Sequence, residues 1–141
     1  MRFRITDNPT EQDIEEVHSK LKQYNRSKRE YSKAIPIGVF YEEINGQKAA
    51  GLTGEIFGNW LCIRYLWVSE ELRRQGIGSR LLKSAENEAV LRGASYAFVD
   101  TFSFQAPEFY TKHGYVQVFK LFDYPYTSSR YYYIKRLMET T

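Results

Sequence analysis

The segment from Leu66 to Gly93, LWVSEELRRQGIGSRLLKSAENEAVLRG, constrains the fold of this chain more than any other. An apolar run ends in a polar turn, two glycines lie one residue apart at Gly76 and Gly78, and an amphipathic helix follows. A second apolar run, YAFVDTF, comes next and is typical of a strand covered on both faces. Together these elements predict a βαβ unit, in which two parallel strands are joined by a right-handed crossover.

The residues before this unit predict a short first strand and a helix. Phe3–Ile5 can form the strand, and Thr10 with Asp13 three residues later makes a variant of the helix capping box. Apolar side chains then recur at helical spacing and predict a stripe that faces a core; they are Ile14, Val17, Leu21 and Tyr24.

The middle and the end of the chain are rich in strand signals. Asn45-Gly46 separates two strand-like runs and suits the two central positions of a type I′ turn, and Gly58-Asn59 marks a second turn. Gly51 and Gly54 within the middle strand indicate a bulge or a close approach. After a short helix that Pro107 can begin and Gly114 can end, YVQVFKLF and RYYYIKRL predict a final hairpin.

Composition limits the class of protein. A length of 141 residues fits one domain spanning residues 1–141, and a net charge of +3 is too small to indicate a nucleic-acid partner. The single cysteine, Cys62, excludes an internal disulfide, and we expect no metal site. The chain opens with a polar segment and has no apolar run near the ~20 residues of a membrane helix, so we expect a soluble cytoplasmic protein without membrane contact.

The glycine turn has the properties of an anion site. A helix N-terminus carries unpaired N–H groups and a partial positive charge, and glycines there let the backbone approach a phosphate closely. Two arginines add positive charge beside it. The residues of this turn are Arg73, Arg74, Gln75, Gly76, Ile77, Gly78 and Ser79. We therefore predict that the turn binds a phosphate or a pyrophosphate.

Two familiar phosphate motifs are absent. The chain contains no GxxxxGK[ST], and the dinucleotide pattern GxGxxG fails because Leu81 stands at its third glycine. The turn instead resembles the signature of the GNAT family of N-acetyltransferases, which Arg73, Gly76 and Gly78 meet. A second segment, Phe109-Tyr110 followed by Gly114-Tyr115, is similar to a downstream motif of the same family.

This resemblance implies a fold and a bound donor. The expected fold is α/β (α+β), a mixed twisted sheet of six or seven strands flanked by about four helices. Its central parallel strands, residues 61–68 and 96–101, are expected to splay apart. Coenzyme A pyrophosphate of the donor acetyl-CoA would lie on the backbone from Arg74 to Ser79. Its pantetheine arm would extend the sheet along Leu66, Trp67 and Val68. Many family members have Asn at a further contact where this chain has Ser103.

The resemblance also implies direct acetyl transfer to an amine. The Val68 N–H is the expected donor to the oxyanion, and Tyr110 is the expected general acid for the departing thiolate. Glu42, Glu43, Glu70 and Asp100 are candidate bases, and Glu42 and Glu43 are expected to point to opposite faces. We single out Glu42 as the base. Burial of Cys62 in mid-strand argues against an acetyl-enzyme route.

Other functions compete with the leading hypothesis of an enzyme that acetylates a primary amine on a small molecule. The acceptor could instead be a protein lysine or N-terminus, or the chain could be a non-catalytic acyl-CoA-binding sensor, for which Tyr110 would be unnecessary. A nucleic-acid binder using the basic run 26–33 and Tyr131–Tyr133 is disfavoured, because alternating strand residues cannot present three rings to one surface. The last two strands could form a homodimer interface.

Overall fold

The structure is a computed structural model that describes residues 1–28, 33–103 and 105–138. The chain falls into two compact units, residues 1–32 and 33–141, and each is described by itself. The expectation of a single domain stays a prediction. Residues 29–32, which belong to the predicted basic run, lie outside the described residues. No helix in the described part is long and apolar enough to cross a membrane.

The first unit is built on one helix, α1 (Glu11–Lys28). Its capping box is confirmed, because the Asp13 N–H donates to Thr10 Oγ1 at 3.0 Å and the Thr10 N–H donates to Asp13 Oδ2 at 3.1 Å. The predicted strand at Phe3–Ile5 is wrong: residues 1–6 have no regular structure, and residues 1–28 contain no strand with which they could pair. The apolar stripe of α1 is exposed rather than buried in a core of its own unit.

The second unit is a mixed six-stranded sheet in the order β1-β2-β3-β4-β6-β5. All neighbouring strands are antiparallel except β3 and β4. The predicted fold class is confirmed, with three α-helices in the described residues instead of about four. In chain order the elements of this unit are β1 (Ile35–Glu42), β2 (Lys48–Phe57), β3 (Trp60–Val68), a 3₁₀ turn (Glu70–Leu72), α2 (Ile77–Leu91), β4 (Tyr96–Phe102), α3 (Glu108–Lys112), β5 (Val116–Leu121) and β6 (Arg130–Arg136).

The first hairpin differs from the predicted type I′ turn. The Gly46 N–H donates to the Glu43 carbonyl at 2.8 Å, so Ile44 and Asn45 occupy the central positions and Gly46 follows them with φ of +84°. A three-residue connection of this kind needs only one left-handed residue, and glycine supplies it. The second predicted turn is confirmed, since Phe57 pairs with Trp60 across a two-residue connection.

Close backbone packing explains Gly54 of β2. The register of β2 against β3 shifts between Thr53 and Gly54, which confirms the predicted bulge. A Cβ at Gly54 would lie 2.3 Å from the Cys62 carbonyl oxygen, so only glycine fits there.

The core lies between the sheet and α2, and it positions the site at the end of the two parallel strands. Helix α2 buries one face; its buried apolar residues are Ile77, Leu81, Leu82, Ala85 and Ala89. Strands β3 and β4 pair only at Trp60–Tyr96, Leu61–Ala97 and Cys62–Phe98, and beyond these pairs they separate. The predicted splay of the central strands is therefore confirmed.

Candidate active site

The end of β3 presents to the gap between the parallel strands backbone groups that no neighbouring strand pairs with; of these, the Val68 carbonyl accepts from the Arg73 side chain. The Ser69 N–H donates to the Ala49 carbonyl at 2.9 Å, which makes Ala50–Val68 a non-hydrogen-bonded pair. By the alternation of an antiparallel ladder, the N–H and C=O groups of Val68 and Leu66 point away from β2 and toward β4. Strand β4 has diverged at this level, so in the described residues no strand pairs with these groups.

Trp67 behaves differently from its two neighbours. It stands in a hydrogen-bonded position opposite Gly51, so its backbone belongs to the β2–β3 ladder. Its side chain is 51% exposed and lies on the other face of the sheet from Val68. The structure therefore brings Leu66 and Val68 to the gap but not the backbone of Trp67.

The facing strand, β4, closes part of the gap itself. The Ser103 N–H donates to the Ser129 carbonyl at 2.9 Å, which directs the backbone groups of Phe102 and Asp100 toward β3. Gln105 then engages both groups of Phe102: its side-chain oxygen accepts from the Phe102 N–H at 2.9 Å, and its own N–H donates to the Phe102 carbonyl at 3.0 Å. The gap is consequently an open-ended slot bordered by the backbone of Leu66, Val68 and Asp100.

The glycine turn begins α2 without a capping side chain. Gly76 is the N-cap with φ of +78°, and no side chain caps the helix start. The first helical hydrogen bond runs from the Arg80 N–H to the Gly76 carbonyl at 3.1 Å. The N–H groups of Ile77, Gly78 and Ser79 therefore have no acceptor within the helix and point out of its positive end.

Two side chains brace this turn against the strand and the 3₁₀ turn before it. Arg73 Nε donates to the Val68 carbonyl at 3.2 Å, and Gln75 Nε2 donates to the Glu71 carbonyl at 3.2 Å. Arg74 is exposed and its backbone is left-handed, with φ of +65°. The predicted phosphate turn is therefore held rigidly beside the end of β3, with one arginine engaged by the protein and the other facing solvent.

Gly78 and Ser79 connect the turn to α3. A Cβ at Gly78 would lie 3.5 Å from the Phe109 ring and 3.6 Å from Val68 Cγ2, so this glycine faces the protein and not the approach of a ligand. Ser79 Oγ lies 2.9 Å from His113 Nε2 in a partly buried hydrogen bond. His113 is the residue that ends α3, and its link to Ser79 is shown by the structure alone.

Tyr110 lies in the hydrophobic core of the second unit. It is 7% exposed and contacts the rings of Tyr115 and Tyr133 at centroid distances of 5.7 and 6.1 Å. Burial, followed by the negative charge of Asp100, raises the pKa of Tyr110 to about 12, so the phenol keeps its proton at neutral pH. Its neighbour Phe109 touches Gly78, which places Tyr110 near both the glycine turn and β4.

A groove of about 680 Å³ adjoins the end of β3. Its lining residues are Tyr41, Glu42, Glu43, Ile44, Asn45, Ala49, Glu71 and Leu72. Both Glu42 and Glu43 contribute to this lining, at the point where the register of β1 against β2 shifts and strand β1 ends. The expectation that their side chains point to opposite faces stays a prediction. Glu70 is a candidate base from the sequence, but the groove is lined by its neighbour Glu71 and not by Glu70 itself.

Three further candidates have partners or surroundings of their own. Ser103 Oγ accepts a long hydrogen bond of 3.4 Å from the Ser129 N–H, and Ser103 is exposed. The Asp100 carboxylate pairs with Arg130, whose Nε donates at 2.8 Å, so this acid has a structural partner. Burial raises the pKa of the Cys62 thiol, in the direction expected for an unreactive cysteine.

Comparison with known proteins agrees with this geometry. Residues 36–117 match the family described as "Acetyltransferase (GNAT) domain". Blasticidin-S acetyltransferase of Streptomyces morookaense is 38% identical over 93 residues, which are 65% of this chain and 68% of that protein. The crystal structure of an acetyltransferase from Bacillus cereus is 34% identical and superposes with a TM-score of 0.84 over 94% of this chain and 97% of that one.

A third comparison concerns a structure with a ligand. An acetyltransferase from Bacillus anthracis, solved in complex with acetyl coenzyme A, is 20% identical and has a TM-score of 0.64 over 74% of this chain and 64% of that one. At this identity the similarity shows the fold alone. The match over residues 36–117 and the close relatives establish the class: the chain belongs to the GNAT family of acetyltransferases. It is therefore an N-acetyltransferase.

Proposed function

We propose that this enzyme transfers an acetyl group from acetyl-CoA directly to a primary amine of a small, positively charged acceptor. The observation that carries the proposal is the slot between β3 and β4, whose open backbone edge at Leu66 and Val68 runs up to an uncapped helix start. An extended, amide-containing arm attached to a pyrophosphate matches both parts of this surface.

The two parts of the donor have distinct binding groups. The N–H groups of Ile77, Gly78 and Ser79 suit the pyrophosphate, and Arg74 adds an exposed cation beside them. The backbone groups of Leu66 and the N–H of Val68 suit the pantetheine amides, which would pair with β3 like an added strand. This assignment gives Ser103 and the Trp67 backbone no part in binding, since each is engaged elsewhere.

The chemistry follows from the groups at the end of the slot. A neutral amine attacks the thioester carbonyl, and the negative charge that develops on the carbonyl oxygen is stabilised by the Val68 N–H. When the tetrahedral intermediate collapses, the C–S bond breaks and the Tyr110 hydroxyl protonates the departing sulfur. The Tyr110 phenol keeps its proton at neutral pH, so the proton is present for that step.

The acceptor fits the groove. Its volume of about 680 Å³ lies within the range typical of small-ligand sites, and three carboxylates favour a cation. Ala49 lines the groove and accepts the Ser69 N–H, so the groove meets the strand end where Val68 lies. We assign the base to this trio, with Glu42 first and Glu43 and Glu71 as its neighbours. The relative named for blasticidin S supports a small-molecule acceptor.

A homodimer through the last two strands belongs to the same proposal. Val116, Val118 and Phe119 are exposed on β5, which is an edge strand of the sheet. An exposed apolar edge of this kind is suited to pairing with a second copy.

The test is a transfer assay with matched acceptors. The purified enzyme is incubated with acetyl-CoA and, separately, a linear diamine, a monoamine of equal length, an amino-free alcohol and a lysine-containing peptide. Release of the free thiol is followed, and the products are identified by mass. We expect the diamine to gain one acetyl group fastest and the alcohol to gain none. Fastest transfer to the peptide would support a protein acceptor instead, and binding of acetyl-CoA without any transfer would support a sensor.

A further inference from the structure

Helix α3 carries Tyr110 and is attached to the glycine turn at both of its ends. Its five residues are too few for a stable helix without tertiary support. Near its start, the Phe109 ring lies 3.5 Å from the position of a Cβ at Gly78. At its end, His113 Nε2 lies 2.9 Å from Ser79 Oγ, and the rings of Phe109 and His113 are 4.7 Å apart.

Both contacts fall on the first turn of α2, where the backbone N–H groups have no acceptor within the helix. Ser79 is the third residue of α2 and carries two donors, its N–H and its hydroxyl. The hydroxyl has one proton, so the His113 bond decides where that proton points. If the hydroxyl donated to His113, only the N–H of Ser79 would remain for an anion. If His113 donates to Ser79 Oγ, both donors remain.

We propose that His113 is a positioning residue for the phosphate-bearing donor substrate. Its Nε2–H donates to Ser79 Oγ and thereby turns the Ser79 hydroxyl proton toward the pyrophosphate. The same bond ties the end of α3 to the loaded turn and so sets the place of Tyr110 relative to the thioester. This inference rests on the proposed function, because it assumes that the turn binds the pyrophosphate of acetyl-CoA.

The proposal makes a specific demand on position 113. A side chain that can donate from the place of Nε2 should substitute for histidine, and glutamine places its amide nitrogen there. Leucine fills a similar space and donates nothing. Ser79→Ala removes the same bond from the other side and leaves His113 in place, so the test stands even where one variant folds poorly.

The experiment is calorimetric titration of the unmodified enzyme, His113→Gln, His113→Leu and Ser79→Ala with coenzyme A and with pantetheine, which lacks the pyrophosphate. We expect Ser79→Ala to bind coenzyme A about tenfold more weakly, the loss of one hydrogen bond to a charged group. His113→Leu keeps the hydroxyl but no longer orients it, so we expect a smaller loss of about threefold. Pantetheine binding should be unchanged in both, and His113→Gln should bind coenzyme A like the unmodified enzyme. The double variant Ser79→Ala/His113→Leu should be no weaker than Ser79→Ala.

The outcomes separate this inference from the proposed function. Coenzyme A binding by His113→Leu that equals that of the unmodified enzyme overturns the role of His113 alone. The role of His113 is also overturned if His113→Leu loses affinity for coenzyme A and for pantetheine equally, because an equal loss would indicate a general structural effect. Failure of the unmodified enzyme to bind coenzyme A would overturn the proposed donor site, and the role of His113 with it.

Discussion

The Ser69 N–H donates to the Ala49 carbonyl at 2.9 Å, and this single bond sets the direction in which the end of β3 presents its backbone. Had the register been one residue different, Val68 would be bonded to β2 and the backbone of Trp67 would face the slot in its place. The same bond brings Ala49, which lines the acidic groove, next to the strand end. The slot and the acidic groove therefore both adjoin the end of β3.

Tyr110→Phe tests the acid. Phenylalanine keeps the ring and its packing against Tyr115 and Tyr133, so the substitution should leave the fold intact. We expect kcat to fall about 100-fold or more, within the usual range for general acid catalysis, while the affinity for acetyl-CoA is unchanged. Steady-state kinetics measure kcat, and calorimetry measures the affinity for acetyl-CoA.

Tyr133→Phe, which removes a hydroxyl from a neighbouring buried ring, is the control and should keep its activity. Equal kcat values for Tyr110→Phe and the unmodified enzyme would remove Tyr110 from the mechanism.

Stability at high pH provides an independent check on the environment of Tyr110. The pKa of this phenol is raised from 10 to about 12 in the folded state, chiefly by burial. Between these values the unfolded chain loses the proton while the folded chain keeps it, so stability is fully present below pH 10 and falls as the pH rises toward 12. From this group we expect a loss of about 2 kcal/mol between about pH 9 and about pH 11.5.

Urea unfolding of the unmodified enzyme and of Tyr110→Phe at these two pH values measures that contribution. Tyr115, whose pKa is raised by burial and by Glu86, acts in the same direction in both proteins and cancels in the comparison. An identical pH dependence in the two proteins would show that Tyr110 is not buried as described.

The carboxylates of the groove should act on the acceptor and not on the donor. Glu42→Gln, Glu43→Gln and Glu71→Gln should each raise KM for a diamine, by about three- to tenfold for the loss of one exposed charge contact, with KM for acetyl-CoA unchanged. Whichever of these three substitutions removes the general base, with Glu42→Gln expected first, should also lower kcat. Glu70→Gln is the matched control, because Glu70 adjoins Glu71 but does not line the groove. A larger effect for Glu70 than for Glu71 would place the acceptor elsewhere.

The two glycines of the turn should respond to alanine with opposite signs. Gly76 has φ of +78°, so Gly76→Ala should destabilise the fold by about 1 kcal/mol. Gly78 has no such strain, and a Cβ there meets Phe109 at ordinary contact distance, so Gly78→Ala should be neutral or stabilise by up to about 1 kcal/mol. Denaturant unfolding measures both. Destabilisation by Gly78→Ala that exceeds that of Gly76→Ala would contradict the geometry of the turn.

Local patterns allowed much of the fold to be predicted. The capping box of Thr10 and Asp13 depends on four consecutive residues, and the glycine turn depends on a strand and a helix that adjoin it, so both follow from spacing. The strand at Phe3–Ile5 failed because pairing needs a neighbour that lies outside the local sequence. The Asn45-Gly46 turn failed because the register shift between Tyr41 and Glu42 depends on how β1 meets β2.

Contacts between distant residues could not be read from the sequence. Ser79 and His113 are separated by 34 positions, and nothing near either residue indicates the other. The same holds for the buried network in which Tyr115 donates to Glu86 at 2.8 Å and Lys135 donates to the same carboxylate at 3.0 Å. Which of Glu70 and Glu71 faces the groove likewise depends on the orientation of the 3₁₀ turn that carries them.

The measurement that tests the central claim most directly is an amide NMR titration of the isotope-labelled, 141-residue protein with acetyl-CoA. The account predicts that the amide signals of Val68, Ile77, Gly78 and Ser79 shift together as the ligand is added. Trp67, whose amide is bonded to β2, should shift less than Val68 beside it. Shifts of Val68 and the α2 amides on one binding curve would support a donor that spans the slot and the turn. Unchanged signals at these residues, with shifts elsewhere or none, would contradict the account.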